Sequence, residues 1–288
     1  MCCVCHVGRW WGPTNTKPIL CLHGWQDNAG TWDTLAPLLP ADVSLLAFDF
    51  PGHGLSSYYL PGQPYYQIDY MAFVRRIVKH YGWQSVSLMG HSLGSILSFM
   101  YACTYPDEVS SYIGIDALVP FAGSSKKLAE RRGKSIDKIL DTLSLDTKNR
   151  PTYTYEEAIS LYEKGTNYSL TRKSCEVLMK RGTEKLANSR YSFNRDLRLK
   201  YSIVTQWPLK NILQFAACVE CNVLNIMADS GFRYNDVEEK SYLETVDVLK
   251  KSAKYFEHHL VEGTHHVHIN NPDRVAPLIN NFLRECVI

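Results

Sequence analysis

Gly90-His91-Ser92-Leu93-Gly94 is a Gly-x-Ser-x-Gly pentapeptide flanked by a short apolar run, SVSLM, and a longer apolar stretch, LGSILSFMYACTYP. The bare pattern recurs by chance. Its place between a strand-like and a helix-like segment is what gives it chemical meaning. A strand that turns at once into a helix holds the serine in a strained conformation with its hydroxyl exposed. Glycines at 90 and 94 let the two backbones pass closely. The helix N-terminus sets N–H groups beside Ser92, where an oxyanion would develop. A second apolar run, KPILCL, leads into His23-Gly24-Trp25, a pair and a neighbour suited to a loop folded over the nucleophile. The backbone N–H of Trp25 then joins that of Leu93 as an oxyanion hole. A serine that attacks a carbonyl forms an acyl-enzyme, which water resolves.

Near the C-terminus, EGTHHVHINNP places His265, His266 and His268 within four positions. Alone, the stretch admits metal ligands, one base with two neighbours, or a polar loop. No HExxH motif or carboxylate cluster accompanies it, so no metal centre is expected. MCCVCH at the N-terminus and the single CxxC of Cys218 and Cys221 also lack a second ligand pair. No cofactor motif is present, and none is expected.

The elements that must carry these residues alternate in type. KPILCLHG, VSLLAFDF, SVSLMG and SYIGIDALVP read as strands; WDTLAPLLP, YMAFVRRIVKHYG and LGSILSFMYACTYP read as helices between them. This order predicts an α/β protein with a mostly parallel central sheet and helices on both faces. From about Phe121 to Trp207 the pattern becomes polar and helical, with no convincing strand. It is too periodic and too apolar in places for disorder, and reads as a helical insertion. The alternation then resumes with CNVLNIMAD, VEEKSYLETVDVLKKS, KYFEHHLVEG and DRVAPLINNFLREC. The division expected is a core of residues 1–119 and 208–288 with a helical insertion of residues 120–207.

Taken together and in this order, LHGW, DFPGHGLS, GHSLG and GTHHVHINNP resemble the α/β-hydrolase superfamily over nearly the whole chain. LCLHGWQDNAGTWDTLAPLLP and NRDLR (Asn194 to Arg198) resemble more narrowly the animal serine hydrolase-like, kraken-type group. The resemblance implies an α/β-hydrolase fold with an inserted α-helical cap over the site. The resemblance fails at the start, where little chain precedes KPILCLHG and CCVCHVGRWWG is expected to supply only the second of the family's first two strands. It places the base after the last strand, where counting back from Pro272 gives His265, with His268 as a neighbour and His266 without a role. It places the acid past the strand CNVLNIMAD, at Gly231 by alignment, where no carboxylate stands. Asp229 and Asp236 lie on either side. Some relatives carry the acid at the end of an earlier strand, and Asp116 occupies that place here. Asp116 is taken first, with Asp229 and Asp236 as alternatives.

Bulk composition limits the remaining classes. The chain has 288 residues, 31 basic and 29 acidic, and a net charge of +2. No strong field points to nucleic acid or an anionic surface. Nine cysteines lie mostly singly in apolar segments, as buried free thiols in a reducing compartment do. No apolar run reaches the roughly 18–20 residues of a membrane helix, and no signal peptide is recognised. A cytoplasmic location is the expectation. The function expected is a serine hydrolase cleaving a small to medium apolar carboxylic ester through Ser92, His265 and Asp116. The alternatives are a non-hydrolytic ligand-binding relative and a cofactor-free haloperoxidase- or lyase-type enzyme. The partner expected is a small-molecule ester; oligomeric state is left open.

Overall fold

The structure is a computed structural model, and it describes residues 5–122, 125–143, 150–201, 206–231 and 236–286. Strands β1 (Gly8–Trp11), β2 (Ile19–Leu22) and β3 (Leu45–Phe48) precede helix α1 (Gln67–His80). Strand β4 (Val86–His91), helix α2 (Leu93–Thr104) and strand β5 (Val109–Ile115) follow. Helices α3 (Ser125–Leu143), α4 (Tyr155–Gly165) and α5 (Arg172–Gly182) lead to short strands β6 (Thr183–Lys185) and β7 (Tyr191–Phe193). Helix α6 (Leu209–Ala216), strand β8 (Asn222–Ser230), helix α7 (Asp236–Ser252) and strand β9 (Tyr255–Thr264) continue the chain. Helices α8 (Val267–Asn270) and α9 (Pro272–Cys286) complete the described elements.

Seven strands form one sheet in the order β1-β3-β2-β4-β5-β8-β9. All neighbours are parallel except β1, which pairs antiparallel with β3 and forms one edge. Among the described residues the N-terminal segment contributes this one strand. Buried parallel strands must be apolar on both faces, and β2 and β4 are buried at every position. Side chains alternate between two cores. Leu20, Leu88, Tyr112 and Val223 face the cluster under α1, α2, α6 and α7; Cys21, Met89, Ile113 and Leu224 face the cluster with Trp32, Ile279 and Phe282. Each such aliphatic side chain contributes about 1.5–3 kcal/mol on burial.

From β2 the chain moves outward to β3, then returns through α1 to β4 on the other side of β2. This reversal opens a crevice at the C-terminal ends of β2 and β4, where ligands of open α/β sheets bind. Trp25 and Ser92 follow those two strand ends.

The segment between β5 and α6 has its own apolar cluster, with Ile159, Tyr162, Cys175, Leu178 and Met179. Ile269 of α8 joins it, tying the segment to the loop after β9. A buried ion pair and a group of arginine–carbonyl hydrogen bonds also attach this part of the chain. Arg181 at the end of α5 reaches fully buried Asp49 at 2.7 Å, and Asp49 also accepts from the N–H groups of Ala29 and Leu55. Arg198 pairs with Asp196 at 2.6 Å and donates to the carbonyls of Tyr59, Leu60 and Gln63. Those contacts give NRDLR a structural role.

The sequence predicts no strand in this segment and a helix running through KRGTEKL. The structure instead ends α5 at Gly182 and forms the β6–β7 hairpin. A Cβ on Gly182 would overlap the Tyr162 hydroxyl, and Ser189 takes a left-handed φ of 59° near the turn. Three-residue strands are too short to show a period of two.

Candidate active site

Ser92 stands between β4 and α2 with φ 51° and ψ −114°, in a region that non-glycine residues rarely occupy. Such a conformation costs on the order of 1–3 kcal/mol and persists only where its surroundings enforce it. Here the Ser92 N–H donates to the Ile115 carbonyl at 3.0 Å, and α2 is wedged against β2, β4 and β5. Glycines make that wedge possible: a Cβ on Gly94 would overlap the Leu22 carbonyl, and one on Gly90 would overlap the Gly94 backbone.

The HGWQDN loop reaches the same point. A Cβ placed on Gly24 would lie 3.5 Å from Ser92 Cβ. Two fully buried histidines brace this loop. His23 donates through Nδ1 to the Gly24 carbonyl and accepts the Phe50 N–H at Nε2. His53 donates through Nδ1 to the Pro51 carbonyl and accepts the Gln26 N–H at Nε2. Burial pushes both imidazoles down to about 3, so both are neutral scaffolding. The Trp25 indole donates to the Leu199 carbonyl at 3.0 Å, while its backbone N–H bonds to no described group. Leu93 is the first residue of α2, where the N–H has no acceptor within the helix.

His265 follows β9, and its Nδ1 lies 2.6 Å from Oδ2 of Asp116, which follows β5. Asp116 is wholly buried, with φ 48°. Its Oδ1 accepts the Ala228 N–H at 2.8 Å, and its own N–H donates to the Ile226 carbonyl. Gly231 packs against this carboxylate so closely that a Cβ there would overlap it. The position where the resemblance looked for an acid is therefore kept empty of side chain, and the Asp116 carboxyl lies against it. Asp229 is exposed; the Gly263 N–H holds its carboxyl below the usual range, and it does not pair with His265. The Asp236 side chain lies outside the described residues.

Histidines crowd this edge of the sheet. The His91 ring centroid lies 4.7 Å from that of His265, 5.1 Å from His266 and 4.1 Å from His268. His91 Nε2 donates to the His265 carbonyl at 2.8 Å. His268 Nε2 meets the Thr31 hydroxyl at 2.7 Å, which fits the neighbour role read from sequence. Burial drives His91 and His266 well below the ordinary imidazole range and His268 down to about 3. His266 had no role in sequence, and Asp27 was not singled out. The structure brings both beside His91, with ligand-capable atoms within 4.8 Å of one another. These three lie in separate loops and strand ends, so no local pattern could have joined them.

A cavity of about 130 Å³ lies above, lined by Trp25, Asp27, Leu161, Tyr162, Arg195 and His266 among others. Tyr162 lines this cavity and Tyr153 a neighbouring one of about 350 Å³. Tyr155 and Tyr168 are exposed.

The profile of the alpha/beta hydrolase fold family matches residues 17–193. A "Probable serine hydrolase" of Drosophila melanogaster is 42% identical over 279 residues, covering 96% of this chain and 84% of its own length. A "Serine hydrolase-like protein" of Mus musculus is 34% identical, covering 95% of this chain and 90% of its own. Among solved structures, a hypothetical protein of Pseudomonas aeruginosa PAO1 superposes with a TM-score of 0.81 at 30% identity, covering 96% of this chain and 94% of that one. The thioesterase domain from the curacin biosynthetic pathway shares the fold, with a TM-score of 0.76 at 20% identity and coverage of 95% and 94%. With its parallel sheet, its strand-to-helix serine turn and these relatives, the chain belongs to the α/β-hydrolase family and, within it, to the serine hydrolase-like group.

Proposed function

We propose that the protein is a serine hydrolase that cleaves a small to medium apolar carboxylic ester by way of Ser92, His265 and Asp116. Ser92 Oγ attacks the ester carbonyl while His265 Nε2 takes its proton. Asp116 holds Nδ1–H of His265, fixes the tautomer and stabilises the imidazolium. The N–H groups of Trp25 and Leu93 receive the oxyanion. The proton passes to the departing alcohol, and water activated by His265 releases the acid. Residues 120–207 act as a cap, and its aromatic and aliphatic side chains bind the apolar part of the ester.

The observation that carries this reading is the 2.6 Å contact between His265 and a buried carboxylate at the same edge of the sheet as the strained Ser92. A fluorophosphonate probe tests the reading directly. Native protein is expected to label, and Ser92→Ala to remain unlabelled. Absence of labelling in folded native protein would contradict the proposal.

A further inference from the structure

Asp27, His91 and His266 come from the loop after β2, the end of β4 and the loop after β9, and all three are buried. Two of their atoms stand out. Asp27 Oδ2 and His91 Nδ1 are shielded from solvent and make no hydrogen bond of normal length; the Thr31 hydroxyl that faces the Asp27 carboxyl is bonded to His268 Nε2. The rest of each side chain is fixed. Asp27 Oδ1 accepts the Asn28 N–H at 2.7 Å. His91 Nε2 must carry its proton to donate to the His265 carbonyl, so the neutral ring has a bare lone pair at Nδ1. His266 Nδ1 meets the Ser169 hydroxyl at 2.6 Å, which leaves Nε2 for another partner.

We propose that Asp27, His91 and His266 form a binding site for one divalent d-block cation of the zinc class. Two imidazole nitrogens and one carboxylate oxygen suit Zn²⁺, Co²⁺ or Cu²⁺ better than Mg²⁺ or Ca²⁺, which favour oxygen donors. Each ligand is oriented by a hydrogen bond through its other polar atom, as second-shell contacts do in metal sites. The donor atoms lie within 4.8 Å of one another. Tetrahedral coordination brings such atoms to about 3.4 Å apart, so side-chain closure of roughly 1 Å completes the site. Three protein ligands leave a fourth position, and the cavity lined by Asp27 and His266 gives it access. Charge supports the same conclusion. The nearby cation Arg181 is taken by Asp49, and among the described residues Asp27 forms no ion pair.

Metal-free protein titrated with Co²⁺ tests the site by visible d–d absorption, with Zn²⁺ as competitor. The binding readout is independent of the hydrolase reading, because Ser92→Ala should bind as wild type does. Wild type is expected to bind one Co²⁺, displaced by Zn²⁺, without a thiolate charge-transfer band. Asp27→Asn and His266→Phe should each weaken binding by more than the roughly 10–100-fold that second-shell changes cost. His266→Phe keeps ring volume and serves if Asp27→Asn does not fold. The proposal is overturned if wild type binds no Co²⁺, as it would with only a water bridging these atoms. It is also overturned if binding survives both substitutions, or is lost instead in Cys5→Ser or Cys218→Ser.

Discussion

The sheet and the segment between β5 and α6 are held by different forces. Ser92, Asp116 and His265 follow the ends of β4, β5 and β9, and those strands are tied by parallel ladders between two apolar cores. That segment has one small cluster and is attached by the Arg181–Asp49 pair and by the hydrogen bonds of Arg198 to the carbonyls of Tyr59, Leu60 and Gln63. A position set by a buried ladder tolerates little displacement; a segment held by polar anchors can be loosened one anchor at a time. The site's chemistry should therefore depend on the sheet, and the placement of the segment between β5 and α6 on a few polar contacts.

Substitutions can break this contrast at graded levels. Arg181→Met leaves Asp49 buried without its cation, and such losses cost about 3–5 kcal/mol. The denaturation midpoint should fall accordingly; an unchanged midpoint would show that the anchor contributes nothing. Gly231→Ala replaces no proposed catalytic group but pushes a methyl into the carboxylate of one, Asp116. Displacement of about 1 Å costs about 10²-fold in rate, so ester turnover should fall by that order while the fold persists. Tyr168→Ala removes a side chain 67% exposed on the inserted segment. Its effect on stability should stay within about 0.5 kcal/mol, and a larger shift in the midpoint would mark Tyr168 as an anchor after all.

Much of this was legible in the chain because it rests on local pattern. The strand and helix alternation, the turn at Ser92 and the helical character of α4 and α5 follow from apolar period and from Gly, Pro and Thr at element ends. Thr154 and Thr171 cap α4 and α5, accepting the N–H groups of Glu157 and Ser174. The β6–β7 hairpin was not legible, since strands of three residues have no period to detect. The acid was legible only as a ranking, with Asp116 first and Asp229 and Asp236 behind it. Asp116, Asp229 and Asp236 all stand near strand ends, and only the pairing across 149 residues separates Asp116 from Asp229. The Asp27–His91–His266 group had no sequence signal at all, because its members meet only when three strand ends converge.

The most direct test of the account is the rate of aryl ester hydrolysis in Asp116→Asn beside Asp229→Asn, both confirmed folded. The account predicts a loss of about 10⁴-fold in Asp116→Asn, as for the acid of a Ser-His-Asp triad, and a rate near wild type in Asp229→Asn. Near-native turnover in Asp116→Asn, or a collapse confined to Asp229→Asn, would contradict it.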